Sequence, residues 1–194
     1  HGETMALVSD AGTPLISDPG YKLVRKAIAS GIYVSAVPGA SAALMALTLS
    51  GLPSNRFMFS GFLPPKSGAR RKALGQLAAI DATLIFFESP RRLAASLADM
   101  AATLGVRDCA VAREMTKLHE EFRRGELAEL AAHYAESGAP KGEVVVVVGP
   151  PAGAAEYSEQ FIESRLTELL QSLSVRDAAA ELAAETGIAR RELY

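Results

Sequence analysis

Two turns near the start of the chain carry the residue types of a small-molecule site. Residues 10–14, Asp-Ala-Gly-Thr-Pro, follow a short apolar run, so Asp10 stands where a strand ends and the backbone turns. Ser41 and Ala42 follow a second apolar run and a Pro-Gly turn, and they open a helix of small residues whose N–H groups a ligand can approach. Open α/β sheets bind ligands beyond the carboxyl ends of their strands. We therefore predict that both turns contribute to one pocket.

Each of these turns also has a purely structural interpretation. Ser17 and Asp18 are residue types that cap a helix, and a helix is predicted to begin near Pro19. The small residues around Ala42 are also those that let a helix pack closely on a sheet. The pocket is favoured because the two turns occur within one short segment.

Two further groups of polar residues follow predicted strands. Glu88 and Ser89 come directly after the apolar run 83–87, where either residue could contact a ligand or cap the helix that follows. The second group follows the strand predicted at 108–113, and it comprises Arg113, Glu114, Lys117 and Glu120. These charges could serve a site or form a surface ladder of ion pairs, which contributes little to stability.

The elements that must position these residues alternate between strands and helices. Apolar runs bounded by turn residues predict strands at 5–9, 32–37, 57–61, 83–87, 108–113 and 143–148. Helical patterns lie between them, at 21–30, 40–50, 69–79, 90–104 and 126–136. This alternation predicts an α/β fold with a parallel or mixed sheet. The run 144–148 is apolar on both faces, which is typical of a central strand.

Three regions are predicted along the chain. Residues 1–53 hold two predicted strands, too few for a stable sheet, and are interpreted as the second half of an N-terminal α/β domain. Residues 54–150 hold four strands and form a second α/β domain. Residues 151–194 begin with a linker and continue with helical spacing at 161–173 and 175–183. A turn at Gly187 and a basic start of a further helix follow, an arrangement similar to a helix-turn-helix.

Composition narrows the function classes. The 194 residues are 49% apolar and 22% charged, and no run approaches the length of a membrane span, so we expect a soluble, cytoplasmic protein. The net charge of −2 argues against a surface that coats nucleic acid, although local basic clusters remain. Cys109 is expected to be a buried thiol, and the three histidines have no zinc-binding spacing. Dinucleotide-binding, Walker and serine-hydrolase motifs are absent from this sequence.

Taken together, these segments resemble the tetrapyrrole methylase superfamily. The resemblance extends over residues 7–20, 37–53, 59–66, 86–93, 112–121 and 141–148. It is strongest for the members that methylate the 2′-hydroxyl of a cytidine in small-subunit (16S) ribosomal RNA, and the helical tail resembles their C-terminal extension. The glycine-containing strand and loop with which those members begin do not occur here, so the first domain is expected to be incomplete.

The resemblance implies a two-domain fold, a homodimer, and S-adenosylmethionine bound in a cleft between the domains. Carried over to this sequence, the cofactor-binding residues are Asp10, Ala11, Gly12, Thr13, Pro14, Ser41, Ala42, Phe87, Glu114 and Glu143. The candidate catalytic residues, one of which must accept the hydroxyl proton, are Glu88, Glu114, Glu143 and Arg113. The residues expected to contact RNA are Lys66, Arg70, Arg71, Arg92 and Lys117.

Two other functions remain open from the sequence. The chain could be a non-catalytic fragment that dimerises and docks RNA, because half of a cofactor pocket should bind the methyl donor poorly. It could also methylate a small tetrapyrrole-like molecule, since one fold can host several substrates. No metal site is expected in any of these cases.

Overall fold

A computed structural model describes residues 2–10, 12–151, 159–171 and 173–186. The chain divides into two compact units, residues 1–151 and 152–194. The finer division of the first unit near residue 53 stays a prediction.

The first unit is built on a mixed sheet. Its strands are Phe57–Phe62 (β1), Thr83–Glu88 (β2), Asp108–Arg113 (β3), Glu121–Glu126 (β4) and Val144–Val148 (β5). They lie in the order β1-β2-β5-β3-β4, and β1 and β2 run parallel whereas every other neighbouring pair is antiparallel. Strands β1, β2 and β3 therefore end at the same edge of the sheet, and this is the edge at which β4 and β5 begin.

Helices cover both faces of this sheet. Ser67–Leu77 (α3), Leu93–Leu104 (α4) and Leu127–Ser137 (α5) pack on one face, where their leucines join Leu84, Phe86 and Val146 in the larger core. Ala42–Ser50 (α2) packs on the other face against Ile85 and Val147. The remaining helix of this unit, Tyr21–Ala29 (α1), has no buried residue.

Four predicted strands are confirmed to within one residue at each end. The prediction for 144–148 is also confirmed, because β5 is the middle strand of the five and all its valines are buried. Five consecutive β-branched residues suit this position, since both faces of the strand are covered. Cys109 on β3 is 2% exposed, as expected, and burial raises the pKa of its thiol well above the ordinary value.

The strands predicted at 5–9 and 32–37 are wrong. Both segments are irregular, and their apolar side chains lie in solvent; Met5, Val8, Tyr33 and Val37 are 84%, 82%, 89% and 93% exposed. A strand needs a neighbour for its N–H and C=O groups, and the described residues offer no strand beside either segment. The hydrophobic pattern alone therefore does not produce a strand here.

Strand β4 was not predicted, because its sequence Glu-Phe-Arg-Arg-Gly-Glu resembles a charged loop. It pairs with β3 over all six of its residues and forms an edge of the sheet. Arg124 extends from it to the C-terminal end of α2, where its guanidinium donates to the carbonyl of Ser50 at 3.2 Å. Charged residues are well suited to an edge strand, since they oppose pairing with other chains.

A buried ion pair between Arg70 and Asp99 connects α3 to α4. The carboxylate of Asp99 accepts from Arg70 Nε at 2.8 Å, from Arg71 Nε at 2.6 Å and from the Ser67 hydroxyl at 3.0 Å. Burial by itself would raise the pKa of Asp99, but the hydrogen bonds from Arg71, Ser67 and Arg70 outweigh it and hold the pKa below the ordinary value. Arg70 also donates to the carbonyls of Pro64 and Pro65, so the pair fixes the loop after β1.

The second unit contains the two helices that the apolar spacing predicts. They are Glu159–Leu169 (α6) and Val175–Thr186 (α7), packed through Leu169, Ala178, Ala179 and Leu182. The Ser174 hydroxyl accepts from the N–H of Asp177 at 3.2 Å and so caps α7. Gly187, the predicted turn, and the basic residues after it lie outside the described residues. Among those described, no helix is long and apolar enough to cross a membrane.

Candidate active site

A cleft of about 420 Å³ lies at the edge of the sheet where β1 and β2 end and β5 begins. This volume is within the usual range for a small-molecule site. One wall comes from the two turns near the chain start, through Gly12, Thr13, Ile16, Ser17, Asp18, Ser41 and Ala42. The facing wall comes from the sheet edge, through Phe62, Phe87, Glu88, Ser89, Pro90, Gly142, Glu143, Val144 and Val145.

The two turns are joined directly, because the hydroxyl of Thr13 donates to the carbonyl of Ala40 at 3.1 Å. Within the first turn, the Ser9 hydroxyl donates to the carboxylate of Asp18. Leu15 and Ser17 both adopt positive φ angles, 71° and 61°, which side-chain-bearing residues rarely do. Such strained backbone persists where the surroundings fix it, and it is frequent at binding sites.

The second turn brings the start of α2 to the cleft. Ser41 caps this helix by accepting from the N–H of Leu44 at 3.5 Å, and Ala42 is its first residue. A helix N-terminus carries free N–H groups and a partial positive charge, so it favours a negatively charged ligand group. Ala43 and Ala46 on the opposite side of α2 pack on the sheet. The binding and packing interpretations of these small residues are therefore compatible.

Aromatic side chains form the apolar part of the facing wall. Phe87 makes edge-to-face contacts with Phe59 and Phe62, with ring centroids 4.8 Å and 5.7 Å apart. Alternation along β2 explains the arrangement, since Phe87 points to the face covered by α2 while Phe86 and Glu88 point to the face covered by α4.

Glu143 in this wall belongs to a cluster of two carboxylates and one ammonium group, whose other members, Glu114 and Lys117, do not line the cleft. Lys117 Nζ lies 3.0 Å from Glu114 Oε1 and 3.1 Å from Glu143 Oε2. The backbone N–H of Glu143 and the ammonium of Lys117 hold the pKa of Glu114 below its ordinary value. Hydrogen bonds to Glu114 and Glu143 raise the pKa of Lys117, so this side chain stays protonated at neutral pH and is no base.

Glu88 borders the cleft, but its carboxylate is buried and fully engaged. One oxygen accepts from the N–H of Ser89 and from Arg92, each at 2.6 Å, and the other accepts from the Ser96 hydroxyl at 2.6 Å. These contacts fix the beginning of α4. The structure thus supports the structural interpretation of Glu88, whose carboxylate is occupied by groups of the protein itself.

Arg113 also acts within the protein. Its Nε donates to the carbonyl of Lys141 at 2.6 Å, and its Nη1 lies 3.2 Å from a carboxylate oxygen of Glu121. The arginine thereby connects the end of β3 to the turn before β5.

The residues expected to contact RNA differ in their exposure to solvent. Arg70 is 3% exposed and bound to Asp99, which removes it from the surface. Arg92 is paired with Glu88 and donates to the carbonyl of Leu63. Lys66 and Arg71 lie in solvent, although Arg71 also contacts Asp99.

Six of the predicted cofactor residues line the cleft together: Gly12, Thr13, Ser41, Ala42, Phe87 and Glu143. Asp10 and Pro14 do not line the cleft, and Glu114 contacts the backbone N–H of Glu143 without lining the cleft itself. Ala11 lies outside the described residues. Sequence reasoning missed the contribution of Asp18 and Phe62. Asp18 was interpreted as a helix cap, yet the residue before α1 is Gly20, and no side chain caps that helix.

Comparisons with known proteins agree on one family. Residues 1–131 match the Tetrapyrrole (Corrin/Porphyrin) Methylases, and residues 158–194 match the RsmI C-terminal HTH domain. The whole chain is 53% identical to 66% of a Ribosomal RNA small subunit methyltransferase I from Mesorhizobium japonicum. It is 48% identical to 68% of the protein of the same name from Mycobacterium bovis. The chain thus spans about two thirds of these relatives.

The fold is also found in a solved structure. The methyltransferase CobJ superposes with a TM-score of 0.55 and 21% identity, over 73% of this chain and 62% of that one. At this level of identity the likeness concerns the fold.

Proposed function

Because this chain belongs to the tetrapyrrole methylase family, we propose that it transfers a methyl group from S-adenosylmethionine to a cytidine 2′-hydroxyl in small-subunit ribosomal RNA. The observation that carries the proposal is the cleft, in which both chain-start turns face Phe87 and Glu143. The names of relatives at 53% and 48% identity support the RNA substrate. The helices at 159–169 and 175–186 fall in the region that matches the C-terminal domain of such proteins.

The lining of the cleft fits the chemistry of this donor. S-adenosylmethionine has a carboxylate, an ammonium, a positively charged sulfur and a flat aromatic base. The N-terminus of α2 suits the carboxylate, and Asp18 and Glu143 suit cationic or hydroxyl groups. Phe87 and Val145 offer apolar surface for the base. Two turns joined by the bond from Thr13 to Ala40 hold this wall in place without the ligand.

The chain's own residues position the reactants and accept a proton. The bound donor supplies a methyl group activated by its positive sulfur, and transfer requires oxygen, carbon and sulfur to lie in line. The aromatic and valine side chains exclude water from this part of the cleft. The Glu143 side chain lines the cleft and is 79% exposed, and one oxygen of its carboxylate contacts Lys117. The carboxylate of Glu88 is buried and bound at both oxygens, and that of Glu114 binds the backbone of Glu143. We propose Glu143 as the acceptor of the hydroxyl proton.

A direct test is methyl transfer from labelled S-adenosylmethionine to isolated small ribosomal subunits. We expect label in the RNA, at a ribose that becomes resistant to alkaline cleavage. A parallel reaction with uroporphyrinogen addresses the small-molecule alternative, and label in that product alone would contradict the proposal. RNA binding without any transfer would favour the docking-fragment alternative.

The RNA contact is proposed for the exposed basic residues around α3. Removing the charges of Lys66 and Arg71 should weaken RNA binding and flatten its salt dependence, lowering the slope of log K against log salt by about 1.4–1.8 if each contacts one phosphate. Filter binding at several salt concentrations measures this slope. Arg56→Ala is the matched control. Arg56 is an exposed arginine directly before β1, whereas Lys66 and Arg71 follow the end of that strand. An equal change in the control would contradict a local RNA surface.

The homodimer implied by the resemblance is also a proposal. Exposed apolar side chains in the first 37 residues, such as Tyr33 and Val37, offer surface for such a contact. The molar mass in solution at several protein concentrations tests it.

A further inference from the structure

We propose that Glu114 is a positioning residue, which together with Arg113 clamps the turn Lys141-Gly142-Glu143 so that Glu143 is presented to the cleft. This inference rests on the proposed function of the cleft. It assigns Glu114 a task different from proton transfer, although the sequence offers all three carboxylates as equal candidates. Gly142 lies between the two clamped peptide groups.

Gly142 has no room for a side chain. A Cβ placed on it would lie 2.3 Å from the carboxylate of Glu114, which is far inside van der Waals contact. Its φ of 97° is in addition a conformation that other residues rarely adopt. The turn is therefore shaped around the Glu114 side chain, and the two residues fit each other closely.

Glu114 binds both backbone groups of Glu143. Its Oε1 accepts from the backbone N–H of Glu143 at 2.8 Å, and its own N–H donates to the carbonyl of Glu143 at 3.0 Å. Glu114 has a φ of 49°, the left-handed conformation, directly after the end of β3. Strain of this kind is retained where the surroundings fix the residue, as two hydrogen bonds do here.

Arg113 holds the other end of the same turn. Its Nε donates to the carbonyl of Lys141 at 2.6 Å. Two consecutive residues of the β3 end thus bind the peptide groups before and after Gly142. The third member, Lys117, binds both Glu114 and Glu143, and so fixes the distance between their carboxylates. Glu114 and Lys117 thus hold the backbone and the side chain of residue 143, while Arg113 holds the peptide group before Gly142.

The decisive comparison is between two substitutions of Glu114. Glu114→Ala removes the acceptor for the Glu143 N–H, and we expect kcat to fall about 100-fold, the usual effect of a misplaced catalytic group. Glu114→Gln keeps an oxygen at that position and should recover most of the rate. A proton acceptor would behave differently, since glutamine cannot take a proton and would be as inactive as alanine. Equal inactivity of the two variants would overturn the proposal.

Gly142 supplies a second variant. Gly142→Ala alone should lower kcat as far as Glu114→Ala does, because the new methyl group displaces the carboxylate. In the double variant Gly142→Ala/Glu114→Ala the clash with the carboxylate is gone and only the strain of the φ of 97° remains, so the combined effect should be smaller than the sum of the two. Full additivity would show that the two residues act independently and would contradict the clamp.

A measurement without substrate separates this inference from the proposed function. Hydrogen exchange of the Glu143 amide should be about tenfold faster in Glu114→Ala than in the unaltered protein, and unchanged in Glu114→Gln. This result is expected even if no RNA is methylated. Unchanged exchange in Glu114→Ala would overturn the clamp whatever the substrate is.

Discussion

Replacing Asp99 with asparagine should lower the free energy of unfolding by about 3–5 kcal/mol, the usual cost of leaving a buried charge without its partner. The side chains of Arg70 and Asp99 are only 4% and 5% exposed, so neither charge regains water when the pair is broken. Asparagine has one acceptor oxygen where the carboxylate has two, and its amide group faces guanidinium donors. Urea denaturation of the two proteins measures the difference.

An exposed pair in the same chain is the matched control. Arg56 and Asp81 lie 2.8 Å apart, with side chains 65% and 76% exposed, and Asp81→Asn should change the stability by less than about 1 kcal/mol. A similar small loss for Asp99→Asn would contradict the view that burial makes the pair strong. Replacing both buried partners, Arg70→Met with Asp99→Leu, should recover much of the loss, since no buried charge is left unpaired and Arg71, which also loses Asp99, has a side chain 58% exposed.

Acidification should reduce the difference in unfolding free energy between the unaltered protein and Asp99→Asn. The pKa of Asp99 is lower in the folded state than in the unfolded chain, where an aspartate titrates near pH 3.9. The stability that the ionised carboxylate contributes is therefore complete above that value and is lost as pH falls through the lowered pKa. The difference between the unaltered protein and Asp99→Asn should shrink on acidification below about pH 4.

The strands that sequence predicts correctly are those whose burial decides their structure. Strands β2, β3 and β5 are apolar on both faces, and helices cover those faces. Their hydrophobic patterns therefore predict where each strand begins and ends to within one residue. The failures have one physical origin, which is that a strand depends on its neighbours. Residues 5–9 have a strand-like pattern but no neighbouring strand among the described residues, whereas β4 has a charged pattern and pairs with β3 over its whole length.

The candidate site, too, could be predicted from the sequence only in part. That Gly12, Ser41 and Phe87 lie together follows from where strands end, which sequence can indicate. The clamp on Glu143 depends on a register that pairs Arg113 with Val144, two residues 31 positions apart in the chain. No local pattern contains that register. The role of Glu88 could be predicted more readily. Side chains alternate along a strand, so Glu88 lies on the same face as the buried Phe86, which is the face covered by α4.

Glu143→Gln should lower the single-turnover rate of methyl transfer by about 10²–10⁴-fold, the range for loss of a general base. The substitution keeps the shape of the side chain and one oxygen that can still accept a hydrogen bond from Lys117. Binding of S-adenosylmethionine, measured by calorimetry, should therefore change far less than the rate. Glu136→Gln on the exposed side of α5 is the matched control and should leave both quantities unaltered.

The variant pair at Glu143 and Glu114 distinguishes the two roles in one experiment. Glutamine cannot accept the proton at position 143, but it can still accept an N–H at position 114. The rate should therefore fall strongly in Glu143→Gln and little in Glu114→Gln, although both variants lose one negative charge beside Lys117. If loss of charge near Lys117 were what mattered, the two variants would be equally impaired. A small effect in Glu143→Gln would instead make Asp18 the candidate proton acceptor. Among the described residues, the carboxylates that line the cleft are those of Asp18, Glu88 and Glu143, and Glu88 is buried.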